Sequence, residues 1–304
     1  MHMPVLVVGS VAFDSLKTPF GEVKEIIGGA ATYFAVTASY FAPVNVVAVV
    51  GDDFGPEQLK VFEGRNIDTT GIERAPGRTF RWSGEYTGDM SEAKTLDTQL
   101  NVFESFQPKL PAPYLESDFV FLANIQPTLQ LAVREQLPHA RLVGLDTMNF
   151  WIHGTPDDLR RALGHVDVLI INDKEARVLA GVDNLRRAAA AIRRLGPRIV
   201  VVKRGEYGAC LFQGDAIFFA PGYPLEEVHD PTGAGDTFAG GFMGYLASAG
   251  EVSDANLRRA LVYGSVMASF SVEEFGLSRL LRLSRAEIEA RFNEFKSMTH
   301  FEVC

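Results

Sequence analysis

Asp230-Pro231-Thr232-Gly233-Ala234-Gly235-Asp236-Thr237 runs without a break into Phe238-Ala239-Gly240-Gly241-Phe242-Met243-Gly244-Tyr245-Leu246. A loop of small residues opens onto an apolar helix, with an aspartate at the junction. The first N–H groups of a helix lack an intrahelical acceptor, and the helix dipole adds partial positive charge there. Gly233, Ala234 and Gly235 leave that end uncovered, so an anion such as phosphate can approach the backbone. Asp236 does not suit a site that only holds phosphate, because its charge repels one. It suits a site where a hydroxyl attacks phosphorus and must lose its proton. Taken alone, Gly-Ala-Gly-Asp is equally a glycine turn with a capping aspartate, so the short string leaves both readings open.

Outward from this loop, short apolar runs recur: Val5 to Val8, Val46 to Val50, Phe119 to Leu122, Leu142 to Leu145, Val168 to Ile171 and Ile199 to Val202. Runs that are apolar throughout fit strands buried on both faces of a parallel sheet. Helical stretches alternate with them, over 32–41, 58–63, 129–137, 175–179 and 184–195. The alternation predicts an α/β fold with a doubly wound, mostly parallel sheet flanked by helices. Helices follow the loop over 238–248 and 255–272, and Ser284 to Glu287 is a capping box for the last one. Gly214-Asp215 between two apolar runs predicts a hairpin. Two stretches, 15–27 and 80–106, break the rhythm with polar–apolar alternation, and we expect antiparallel strands outside the main sheet there.

The 304 residues suit one α/β domain with ample core, and we read 1–304 as a single domain. A net charge of −9 and the lack of a basic block exclude nucleic acid as a general partner. No run approaches a membrane span and no signal peptide is seen, so a cytoplasmic enzyme is expected. Cys210 and Cys304 imply neither a disulfide framework nor a metal site.

The string from Asp230 through Met243 resembles the C-terminal signature of the ribokinase-like (PfkB) carbohydrate kinases, with every position of the pattern filled. The resemblance implies a ribokinase-like fold with a small β lid, formed here by about 15–27 and 80–106. It implies an ATP-dependent kinase that transfers the γ-phosphate to a hydroxymethyl group of a small sugar or sugar-like substrate. ATP and Mg2+ are the implied cofactors, and a monovalent cation is left open. Asp236 would be the base, and the backbone of Gly233, Ala234 and Gly235 would stabilise the transferring group.

Asn172-Asp173-Lys174-Glu175 follows a strand and reads as helix capping on spacing alone. The resemblance makes Asn172 and Glu175 the organisers of magnesium, through water. Lys203 ends a strand, as a phosphate contact or as an exposed charge, with Gly205 and Gly208 in the turn that resembles the family's nucleotide-side loop. Asp14, in Gly9-Ser10-Val11-Ala12-Phe13-Asp14, is the implied holder of substrate hydroxyls. Gly28 and Gly29 match the N-terminal glycine pair that lies against the substrate. Tyr33 departs from the pattern, since sugar-specific members usually carry asparagine there, and this puts ribose in doubt. Val266, Ala268, Ser269 and Gly276 are expected to line the adenine slot. Gly51 to Gly55 reads as a structural turn, Asp146 and Asn149 as turn residues near phosphate, and Arg81 as an exposed sheet arginine. Two rival readings stay open: a nucleoside kinase with aromatic Tyr33, Phe34 and Trp82 in its pocket, and a catalytically silent ligand-binding protein on this fold. A homodimer through the lid edges is also open.

Overall fold

A computed structural model describes residues 3–88 and 90–302; Cys304 lies outside them. The chain begins with β1 (Val5–Val8), β2 (Ala12–Thr18), β3 (Gly21–Gly28), helix α1 (Ala30–Ala38) and β4 (Val44–Val50). Helix α2 (Pro56–Leu59), β5 (Ile67–Arg74), β6 (Phe80–Tyr86), β7 (Ala93–Gln99), β8 (Phe119–Leu122) and α3 (Pro127–Glu135) follow. Next come β9 (Leu142–Asp146), α4 (Asn149–Gly154), α5 (Pro156–Leu163), β10 (Val168–Asn172), α6 (Asp173–Ala180), α7 (Leu185–Arg193) and β11 (Ile199–Lys203). The hairpin β12 (Ala209–Gln213) and β13 (Ala216–Ala220) leads into α8 (Ala234–Ala249), α9 (Asp254–Ser271), α10 (Ser278–Arg282) and α11 (Arg285–Thr299).

Nine strands form one sheet in the order β13-β12-β11-β10-β9-β8-β1-β4-β5. The seven strands from β11 to β5 pair parallel, and the β12–β13 hairpin closes one edge antiparallel. Alternate strand residues feed two cores, as period-two side-chain geometry requires. Val5, Val7, Phe121, Ile170 and Val201 pack under α1, α8 and α9. Leu6, Val8, Leu122, Leu169 and Val202 pack under α3, α5, α6 and α7. Chain order reverses between β1 and β8, and crevices at strand C-termini beside such a reversal are where these sheets hold ligands.

The two arrhythmic stretches meet in a second, four-stranded sheet of order β3-β2-β6-β7. Its pairings correct the expectation of antiparallel strands throughout: β2–β3 and β6–β7 are antiparallel, but β2–β6 is parallel. The parallel contact joins two hairpins contributed by distant chain segments. The strand in 95–106 stops at Gln99 and gives way to a 3-10 turn over Asn101–Ser105. The helix expected over 58–63 is the single turn of α2, begun by Pro56 at the first helical position.

Candidate active site

Asp14, Asp146, Asn172 and Lys203 converge because β1, β9, β10 and β11 all end on the same side of the sheet. Asp14 lies within β2 rather than in a loop after β1. It is 5% exposed. Its carboxylate rests on Gly28, where an added Cβ would stand 1.9 Å from Oδ2, and it accepts from the Gly29 backbone. Gly29 begins α1 at φ 93°, a conformation that favours glycine, and any Cβ there would meet the Ser10 carbonyl at 2.5 Å. Burial, opposed by the Gly29 N–H and reinforced by Asp230 and Asp236, pushes the Asp14 carboxyl up to about 7.

The cradle forms as its sequence suggests. Gly233 takes φ 71° at the head of α8. Ala234 N–H donates to the Pro231 carbonyl and Thr237 N–H to that of Gly233, whereas Gly235 and Asp236 N–H find no backbone acceptor outside the helix among the described residues. A Cβ on Gly235 would stand 2.7 Å from Lys203 Nζ, so the ammonium lies directly against the cradle. Lys203 also faces Asp146 Oδ1 at 3.9 Å. Burial and the Asp146 charge, opposed by Lys203, push half-buried Asp236 up to about 7. Asp146, Glu175 and Asp236 therefore surround the Lys203 ammonium, and Asp14 joins the same basin within reach of the Asp236 charge.

Asn172 and Glu175 make the capping box in full. Glu175 N–H donates to Asn172 Oδ1 at 2.8 Å, and Asn172 N–H donates to Glu175 Oε2 at 3.1 Å. The cap occupies one carboxylate oxygen of Glu175. The residue is 8% exposed, and burial with the Asp146 charge pushes it up to about 7 against the pull of Lys203. Oxygen donors of this kind suit a hard cation that keeps its own water. No cluster of three or more His, Cys, Asp or Glu side chains placed to hold a metal occurs among the described residues.

Tyr33 is 1% exposed, and its hydroxyl has no hydrogen-bond partner. Its ring covers Gly233, where a Cβ would stand 2.5 Å from three ring atoms. Tyr33 thus ties the N-terminal glycine pair to the cradle. Asp230, 1% exposed, accepts from Thr232 N–H at 2.9 Å and Gly276 N–H at 2.8 Å. Gly276 accordingly lies beside Asp230, against Ile26 and near the Tyr33 hydroxyl. Val266 is sealed in the core, and Ser269 Oγ is engaged by Arg291, so of the expected lining Ala268 alone keeps free surface. Gly205 has open space around it, while Gly208 abuts the Ala220 carbonyl, 2.1 Å from where a Cβ would be.

The second sheet and its turns lean on the segment leading into the cradle at two points and on α6 at a third. Phe20 stacks on His229 with centroids 4.5 Å apart, Thr232 Oγ1 donates to Tyr86 Oη at 3.3 Å, and Lys174 pairs with Glu92 at 2.8 Å. Arg81, expected exposed, is 15% exposed in its side chain and bridges Asp53 at 2.7 Å and Glu25 at 2.9 Å. The reading from sequence also gave Asp230 and Tyr86 no role of their own. Asp230 had only its place in the motif to mark it, and Tyr86 had no signal at all.

A family model described as pfkB family carbohydrate kinase matches residues 4–282. The chain belongs to this family. Its relatives include a cytidine kinase of Thermococcus kodakarensis, 31% identical over 79% of this chain and 87% of the relative. A nucleoside kinase of Methanothermobacter thermautotrophicus is 26% identical over 90% of each. Among solved structures, Thermotoga maritima ribokinase superposes with a TM-score of 0.76 at 23% identity, covering 96% of this chain and 99% of its own. This PfkB kinase is therefore a phosphotransferase that acts on a sugar or nucleoside hydroxyl.

Proposed function

We propose that the protein transfers the γ-phosphate of ATP to a primary hydroxyl of a sugar or nucleoside, with Asp236 as the base. The observation that carries this is the shared basin: Asp236 stands at the uncovered helix end, with Lys203 against the cradle and Asp14 close enough to be raised by the Asp236 charge. Asp14 and the Gly28–Gly29 backbone orient the acceptor, with Tyr33 shaping the floor. Asp236 takes the hydroxyl proton at a carboxylate oxygen. The N–H groups of Gly235 and Asp236, with Lys203, stabilise charge on the transferring group. Gly233 and Ala234 shape that cradle, while Gly205, Gly208 and Ala268 border the nucleotide.

Glu175 and Asn172, with Asp146 beside them, fit magnesium held through water. When bound, that ion neutralises phosphate oxygens. Asp230 is the candidate seat for a monovalent cation: it is buried, it makes no ion pair among the described residues, and its oxygens accept from the N–H groups of Thr232 and Gly276. The second sheet is the lid, which excludes water from the reaction. Its edge strands β3 and β7 are largely exposed, which favours a homodimer through them. No helix among the described residues is long and apolar enough to cross a membrane, and we place the enzyme in the cytoplasm. Assay of ADP release across sugars, polyols and nucleosides tests the proposal. Turnover with one class supports it, and no turnover with any supports the silent ligand-binding reading.

A further inference from the structure

Building on the kinase reading, we propose that Trp82 is a stacking platform for a nucleobase, so that the acceptor is a nucleoside. Four observations carry this. First, Trp82 lies opposite Asp14 in the β2–β6 register, and residues paired across a sheet share a face. Tyr86, four residues on and on the same face, reaches Thr232 at the cradle. Trp82 therefore faces the acceptor space between Asp14 and the cradle loop.

Second, the indole lies flat along its own strand. A Cβ on Gly84 would stand 2.3 Å from indole Cη2 and 2.6 Å from Cζ2, so only glycine lets the ring adopt this pose. Third, Nε1–H donates to Thr95 Oγ1 on β7 at 3.3 Å, which fixes the ring in its plane. Fourth, the ring is half-buried, so indole surface remains uncovered.

The surrounding polar groups decide between a base and a second hydroxylated ring. Thr95 Oγ1 already accepts from Trp82 and Tyr86 Oη from Thr232, Leu16 and Gly84 offer no side-chain hydrogen bond, and Thr98, opposite Trp82 on β7, adds a single hydroxyl. A sugar in this place would leave several hydroxyls unpaired, which is costly on burial. A base needs chiefly a π-face. Asp14 then holds the pentose hydroxyls, and the base lies roughly one strand spacing away, about 4.8 Å.

The chain has two tryptophans, so Trp151→Phe leaves Trp82 as the only indole. With saturating ADP and magnesium present to fill the nucleotide site, cytidine and adenosine are titrated against Trp82 fluorescence, with D-ribose as the sugar probe. We expect saturable quenching by at least one nucleoside and none by ribose. We also expect Trp82→Ala to raise the nucleoside KM roughly ten- to hundredfold, Trp82→Phe to recover most of that loss, and the ATP KM to stay within about twofold. Quenching by ribose alone, or an unchanged nucleoside KM in Trp82→Ala, overturns the platform. Nucleoside quenching without turnover of any acceptor upholds the platform and overturns the kinase reading instead.

Discussion

Asp236 and Asp14 do different work, yet both carboxyls are held at about 7, Asp14 chiefly by burial with the Asp230 and Asp236 charges added, Asp236 chiefly by burial with the Asp146 charge added. Each must be ionised to act, one to accept a proton and the other to accept hydroxyl donors. The two should protonate together as pH falls through about 7, so log kcat/KM should drop with a slope above one. A pH–rate profile with a slope of one would mean that a single carboxylate governs the rate. Asp236→Asn keeps the shape but cannot take the proton. It should lower turnover on the order of 10²–10⁴-fold while ADP affinity, measured by calorimetry, is retained or improved by the removal of a negative charge from the cradle. Tyr33 acts through shape: its ring fills the space over Gly233, and its unpaired hydroxyl is buried. Tyr33→Asn should therefore re-rank acceptors in the ADP-release panel more than it lowers the best rate.

At the scale of elements, Glu175 links the cap of α6 to the charged basin. Glu175→Gln keeps the size of the cap but removes the charge, so the magnesium concentration for half-maximal rate should rise about tenfold or more. An unchanged magnesium titration would reduce Glu175 to its capping role. Most strands and helices of the main sheet were readable from sequence because their runs are apolar throughout or regularly amphipathic, whereas the half-exposed edge strand β5 and the short helices α4 and α5 were not read. The cradle was readable because its chemistry is local, confined to Gly233 through Asp236. The root of the second sheet was not readable, because it is built from three separate segments. Asp53 accepts from Thr79 N–H and Oγ1 at 2.8 and 2.6 Å, Arg81 pairs with Asp53 and Glu25, and the guanidinium lies 5.0 Å from the Phe13 ring centre. Nothing in the spacing of 25, 53 and 81 announces that meeting. Burial would raise the Asp53 carboxyl, but hydrogen bonds from Thr79 and Arg81 outweigh it and hold it below its ordinary range. This contribution to stability is present above the unfolded carboxylate pKa and lost as pH falls through the lower folded value. Asp53→Ala should cost about 1–3 kcal/mol at pH 7 in denaturant unfolding, and the loss should shrink in acid. It should also raise acceptor-free ATP hydrolysis, because the root that holds the second sheet over the cradle is loosened.

For the whole molecule, concentrating Asp14, Glu175 and Asp236 in one basin weakens the fold at neutral pH. All three have folded pKa values near 7, above the ordinary carboxylate range. The stability linked to them is full below about pH 4 and is lost as pH rises through about 7. Asp236→Asn should accordingly raise Tm at pH 8 and do little at pH 5, as read by calorimetry. An unchanged Tm at pH 8 would show that this carboxylate is not held above its ordinary range in the free enzyme. The hydrogen bond from Gly276 N–H to Asp230 bears on the order in which the molecule matures. Asp14 and the glycine pair leave the ribosome roughly 200 residues ahead of the cradle loop, and synthesis proceeds at about 5–20 residues per second. The cradle loop emerges later and gains its anchor only once residue 276 has emerged as well. Nascent chains stalled before that point should form much of the parallel sheet yet fail to retain nucleotide, so the enzyme stays silent until residue 276 has joined the fold.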